Sequence, residues 1–303
     1  MESDPIILVL RALALQRTPG FNFPGHFLRL AYDRVERGHT VLSLDTEPHC
    51  ADRDGQMNVG ALALLADMGL AATLRGEVGP SARVATVNMN LQLTGAPRTG
   101  RLVAESRFDG FLAKGAERQG LARIEVKAGG RLVCTGSGAF MVIGKADATP
   151  PHPLPPRGGL SAEPLDPADL AAPEADVLAH ARRALRDDGR HGFLERFWDY
   201  KPRRTKTGAS CRAWNGMHIG NRVGHAQGGV SFGLAASTAA AALPASWTLV
   251  GASAWYVSPG TGRTLAARSR IVHHGSLTAV VRTRITDERG RAVLEMATSH
   301  ART

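Results

Sequence analysis

The hydrophobic pattern passes through one cycle of periods and then repeats it. Residues 4–16 place Ile7, Leu8, Leu10, Leu13 and Leu15 on a helical repeat that ends at Pro19-Gly20, and residues 41–44 read as a short strand. After a loop over 48–57, residues 58–75 carry a long helical pattern. The period then falls to two. Four strands are predicted over 84–93, 100–108, 119–128 and 131–142, separated by Gly95-Ala96-Pro97, Gly110 and Gly129-Gly130. From residue 174 the order starts again, with a helix over 174–187, an aromatic stretch over 193–200 and a strand over 207–215. A helix from 229 to 243, stopped by Pro244, and strands over 248–257, 262–272, 277–286 and 292–298 complete the second cycle.

The two cycles match residue by residue. Thr99-Gly100-Arg101 and Ser106-Arg107 correspond to Thr261-Gly262-Arg263 and Ser269-Arg270, Gly130-Arg131 to Gly290-Arg291, and Gly55 before the first long helix to Gly224 before the second. The offset shrinks along the chain, as small loop deletions would make it. Two copies of one domain are therefore expected: residues 1–144 with a leading helix, a linker over 145–173 too rich in proline for a helix or a sheet interior, and residues 174–303.

Composition narrows the classes. A chain of 303 residues with 43% hydrophobic content has room for two cores. Its longest apolar run, 60–74, contains Asp67 and falls short of a membrane span. Glu2 and Asp4 precede the first apolar residues, so no signal peptide is expected. Cys50, Cys134 and Cys211 are odd in number and far apart, which fits neither a disulfide framework nor a zinc cluster; a cytoplasmic setting is the expectation. The formal charge of +10 is spread over single arginines, and only 5% of residues are aromatic. That pattern argues against nucleic acid and for a solvated basic face that attracts anionic substrates. His273-His274 has no carboxylate or cysteine companions, so neither a metal nor another cofactor is expected.

The most distinctive stretch is the loop Asn221-Arg222-Val223-Gly224-His225-Ala226-Gln227 running into Gly228-Gly229. A helix that starts on two glycines leaves its first N–H groups open to a ligand oxygen and attracts negative charge. The same pair can equally serve close packing.

Strand, glycine loop, long helix and four strands in this order is similar to the hotdog fold, an α+β architecture in which an antiparallel sheet wraps one central helix. The loop resembles the motif of the phenylacetate-degradation-type acyl-CoA thioesterases: Asn, two residues, Gly, two residues, a His-Gly-Gly helix start, and an acid nine residues beyond the His. The likeness covers most of 40–142 and 212–300. The first copy has Asp52, Gly55, Asn58-Val59-Gly60 and the acid Asp67, without the Asn or the glycine pair. The second has Asn221, Gly224 and Gln227-Gly228-Gly229, but Ala236 at the acid position.

Nine helical residues span about 13 Å and about half a circle, so a helix start and its own acid cannot reach one small thioester. The resemblance implies a dimer whose sites take one part from each subunit. Here the copies would form a double hotdog, an intrachain pseudo-dimer, with Asp67 facing Asn221, Gln227 and Gly228 while the opposite pairing, lacking the acid, is dead.

On that reading Asp67 is the nucleophile or the base that orients water, and the Gly228 N–H polarises the thioester carbonyl. Asn221 braces the loop or holds water, and Gln227 stands where the family has His; both residues are also ordinary turn formers or helix caps. Gly229 is assigned to substrate binding. Ser237 and Thr238 are candidate pocket hydroxyls or helix packing residues. Arg263, with Arg98, Arg101 and Arg268, could neutralise coenzyme A phosphates or simply decorate strand ends. The implied partner is an acyl-CoA or acyl-carrier-protein thioester, with neither membrane nor nucleic acid. A homo-oligomer of the double-hotdog chain is possible through its edge strands. The rival functions are a non-catalytic acyl-CoA-binding protein and, more remotely, an enoyl-CoA hydratase relative.

Overall fold

The computed structural model describes residues 4–18, 22–79, 82–112, 118–143, 161–186 and 191–303. The first copy runs α1 (Pro5–Gln16), α2 (Phe23–Phe27), β1 (Ala31–Glu36), β2 (His39–Asp45), α3 (Val59–Val78), β3 (Arg83–Leu93), β4 (Arg101–Phe111), β5 (Arg118–Ala128) and β6 (Arg131–Ile143). The second repeats it as α4 (Ala172–Leu185), α5 (Phe193–Phe197), β7 (Arg203–Arg204), β8 (Gly208–Trp214), α6 (Gly228–Ala240), β9 (Trp247–Tyr256), β10 (Thr264–His274), β11 (Thr278–Asp287) and β12 (Ala292–Arg302). Each strand expected from the period of two is present. The proposed linker falls largely on residues 144–160, outside the described residues, and α4 starts slightly early because Pro173 is tolerated in a first helical turn.

The twelve strands among the described residues join in one antiparallel sheet, ordered β1-β2-β4-β5-β6-β3-β9-β12-β11-β10-β8-β7. Read inward from either end, the order is the same, which is the signature of a twofold relation between the copies. At the centre β3 pairs with its own counterpart β9, from Asn88 opposite Trp255 to Gln92 opposite Gly251. The strands bury one face: Ala122, Ile124, Val126 and Ala128 of β5 point inward while Arg123, Glu125 and Lys127 face water.

The inner face holds α3 and α6. By length and composition α3 is apolar enough to cross a bilayer, yet 78% of its most apolar window is buried inside the molecule, where it is the core helix. The two helices run antiparallel and nearly touch. A Cβ added at Gly229 would lie 2.4 Å from Leu64 Cα, and one at Gly233 would lie 2.5 Å from Gly60 Cα. No side chain fits there, so these glycines set the separation of the helices. The short helices α2 and α5, which the sequence pattern did not reveal as helices, pack on each other through Phe27 and Phe197, whose rings are 5.1 Å apart.

Candidate active site

Close approach of α3 to α6 brings Asp67, two turns into α3, against the first turn of α6. Asp67 is only 4% exposed. Its Oδ2 accepts a hydrogen bond from Gln227 Nε2 at 2.7 Å, and its Oδ1 accepts one from Thr86 Oγ1 at 2.9 Å. A methyl group on Gly228 would begin 2.8 Å from Oδ2. Burial pushes the carboxyl up to about 6, opposed by hydrogen bonds from Thr86, Gln227 and the Gly229 N–H. The group is thus mainly ionised at neutral pH, with little reserve.

Gln227 performs two tasks. Its Oε1 accepts from the Val230 N–H at 3.0 Å and caps α6, which turns Nε2 toward Asp67. An amide in this position donates a hydrogen bond but moves no proton. Asn221 lies on the same cavity, yet its Oδ1 is engaged by the Val223 and His225 N–H groups, both at 3.0 Å. It braces the loop, whose sharp turn is made by Gly224 at φ 79°. Asp52 does the same in the first copy, accepting from the Asp54 and Gln56 N–H groups at 3.0 Å.

Two contributors escaped the sequence pattern. Thr86 lies on β3 immediately before a register shift opposite β6, between Thr86 and Asn88. Such a bulge re-aims a side chain, and no glycine or proline marks it here. Tyr256, from β9, donates to the Gly228 carbonyl at 3.0 Å and pins the first turn of α6.

Three expected pocket residues lie elsewhere. Ser237 and Thr238 sit more than two turns along α6, outside the cavity, and the Thr238 hydroxyl donates to the Leu234 carbonyl at 2.6 Å because a buried helical hydroxyl has no nearer acceptor. Arg263 immediately precedes β10 and lines a separate cavity with Asp176 and His180. Gly229 serves the helix contact, and only its N–H reaches toward Asp67. Cys50 is buried and its thiol is pushed up to about 11 by burial, the state of a packing residue. Among the described residues no group of three His, Cys, Asp or Glu side chains could hold a metal ion.

The counterpart position is closed. Ala236 replaces the acid at 1% exposure, and Asn58 caps α3 by accepting from the Gly60 N–H at 2.8 Å. The Tyr200 ring covers that helix start, with Cε2 lying 2.6 Å from where a Gly60 side chain would begin. On the Asp67 side a cavity of about 470 Å³ remains, walled by Met68, Ala71, Ala72 and Phe140.

No protein-family model and no curated protein matches this chain. Solved structures do. The provisional oleoyl thioesterase of Lactobacillus plantarum aligns over 88% of this chain and 97% of its own, with a TM-score of 0.55 and 12% identity. A hot dog fold protein of unknown function from Alicyclobacillus acidocaldarius aligns over 90% and 95%, with a TM-score of 0.53 and 9% identity. An acyl-CoA thioesterase II from Mycobacterium marinum aligns over 91% and 95%, with a TM-score of 0.50 and 13% identity. At these identities the likeness is one of architecture: the chain is a double hotdog, two copies of the fold sharing one sheet.

Proposed function

We propose that this protein hydrolyses the thioester of an acyl-CoA or acyl-carrier-protein substrate at one composite site between its two copies. The observation that carries the reading is the carboxylate of Asp67, from one copy, held at the N-terminus of α6 from the other with both oxygens fixed by Thr86 and Gln227. The first N–H groups of a helix have no intrahelical acceptor. Val230's is taken by Gln227 and Gly229's turns to Asp67, which leaves that of Gly228 for a ligand oxygen.

A thioester carbonyl accepting from the Gly228 N–H would have its developing negative charge stabilised by that donor and by the helix dipole, a contribution of about 3 kcal/mol for one donor. Asp67 then acts in one of two ways. As a base it takes a proton from water, hydroxide adds to the carbonyl carbon, the C–S bond breaks and the proton passes to the departing thiolate. As a nucleophile it forms an acyl anhydride with loss of thiolate, and water hydrolyses the anhydride. Both routes yield one carboxylic acid and one thiol. Thr86 and Gln227 aim the carboxylate in either case.

Asp67→Asn should abolish thiol release from acyl-CoA substrates while calorimetry still detects their binding. Full activity in that variant would end the assignment. The rival reading as a non-catalytic acyl-CoA-binding protein, favoured by Gln227 in place of the expected His, requires binding without thiol release by the unaltered protein across a broad substrate panel.

A further inference from the structure

The cavity beside Asp67 is basic at its far end. Asp67, Ala71 and Arg75 follow one another on one face of α3 and all line it. Eight residues along a helix place Arg75 about 12 Å beyond Asp67. Arg83, at the start of β3, and Arg222, in the glycine loop, line the same cavity, and Asp67 is the one carboxylate among its lining residues.

None of these arginines is exposed: Arg75 is 7% accessible, and Arg83 and Arg222 are half-buried. They also feel one another. Burial lowers the Arg75 guanidinium to about 10, partly offset by Tyr32, with the charge of Arg222 adding to the fall. Burial and then the charge of Arg83 lower Arg222. Among the described residues no carboxylate forms an ion pair with Arg83 or Arg222. Two of the four arginines expected from sequence to meet phosphates are paired elsewhere, Arg98 with Asp52 at 3.3 Å and Arg101 with Asp33 at 3.1 Å. Like charges gathered at a partly dry wall cost free energy that an anionic ligand would recover.

We propose, resting on the thioesterase reading, that this wall binds an anionic group of the substrate, a phosphoester or a carboxylate, between Arg83 and Arg222. Guanidinium forks match the paired oxygens of both groups. The anion has two possible sources: the phosphates of the carrier arm, or a carboxylate at the far end of the acyl chain.

Three thioesters separate them: a straight-chain acyl-CoA, the same acyl group on pantetheine without phosphate, and that pantetheine thioester with a terminal carboxylate on its acyl chain. Arg83→Gln and Arg222→Gln should each raise KM about tenfold for the anionic substrate that fits, with kcat and the neutral pantetheine thioester unchanged. Arg222→Lys should restore part of the loss. Sensitivity confined to the CoA thioester assigns the phosphates, and sensitivity confined to the carboxylated one assigns the acyl chain. Arg263→Gln, in the separate cavity, is the control and should alter none of the three. Unchanged KM throughout, or an equal change for the neutral substrate, overturns the proposal. Should the unaltered protein release thiol from none of the three, the hydrolytic reading fails by itself. Calorimetry with the same ligands then decides the inference, which stands if Arg222→Gln weakens only anionic binding and falls otherwise.

Discussion

Asp67→Asn is expected to be inactive yet more stable than the parent protein at neutral pH. Burial lifts the Asp67 carboxyl from 3.8 to about 6 although three donors favour its charged form. The unfolded chain has no such penalty. Between about pH 4 and pH 6 the native state therefore retains a proton that the unfolded state has released, and native stability falls as pH rises through that window. Below it both states are protonated; above it the cost is constant. A pKa rise from 3.8 to about 6 corresponds to about 3 kcal/mol at pH 7. Asparagine carries no charge at either pH and keeps the local hydrogen bonds, since its Oδ1 can accept from Gln227 Nε2 while its Nδ2 donates to a Thr86 hydroxyl turned to accept. The gain thus approaches about 3 kcal/mol at pH 7.5 and disappears near pH 4. Urea unfolding of both proteins at the two pH values measures it as a difference in which the remaining titrating groups cancel. A gap that does not change with pH, or a variant less stable than its parent at pH 7.5, refutes the burial argument.

Four further expectations concern neighbouring residues. Activity should fall as pH drops through about 6, where Asp67 takes up its proton, and Thr86→Val should move that limb upward while Thr86→Ser leaves it in place; a pH profile of kcat/KM reads both. Gly229→Ala meets the α3 backbone at 2.4 Å and should destabilise by roughly 1–3 kcal/mol in urea. Gly228→Ala meets the Asp67 carboxylate at 2.8 Å and should reduce turnover by pushing it off Thr86 and Gln227. His218, with no measurable exposure and stacked on Trp214 at 4.6 Å, is held neutral by burial and then by His180 nearby. Its unfolded form gains a proton below about pH 6.5 that the native form refuses, so His218→Phe should stabilise the protein at pH 5 relative to pH 8.

Much of this architecture can be read from the chain because its long elements have clear periods. The alternation in β5 and the predominantly apolar run of α3 each state their surroundings. Elements too short for a period stay hidden: α2 has five residues and β7 two, and the packing of Phe27 on Phe197 makes α2 more than a loop. In the candidate site, Asp67, Gln227 and Gly228 could be brought together through the resemblance to the thioesterase motif, of which each copy holds what the other lacks. Thr86 could not, because a polar residue in an alternating strand looks outward-facing until a bulge turns it. Ser237 and Thr238 show the reverse case. They lie beside the missing acid in sequence, but the helix carries them away from the cavity. Gly229 satisfies two physical demands at once, helix contact and an open N–H, and a glycine alone does not say which is operating.

The pairing of β3 with β9 has a genetic consequence. In a symmetric assembly of identical subunits any substitution appears at both catalytic centres, so a residue needed on one side of the axis must be kept on the other. Here the axis lies within one polypeptide. The position of Ala236 carries no acid where α3 carries Asp67, and the Tyr200 ring covers the start of α3 alone, so the two halves of this chain differ where identical subunits could not. Dilution cannot separate the halves either, because one backbone joins them.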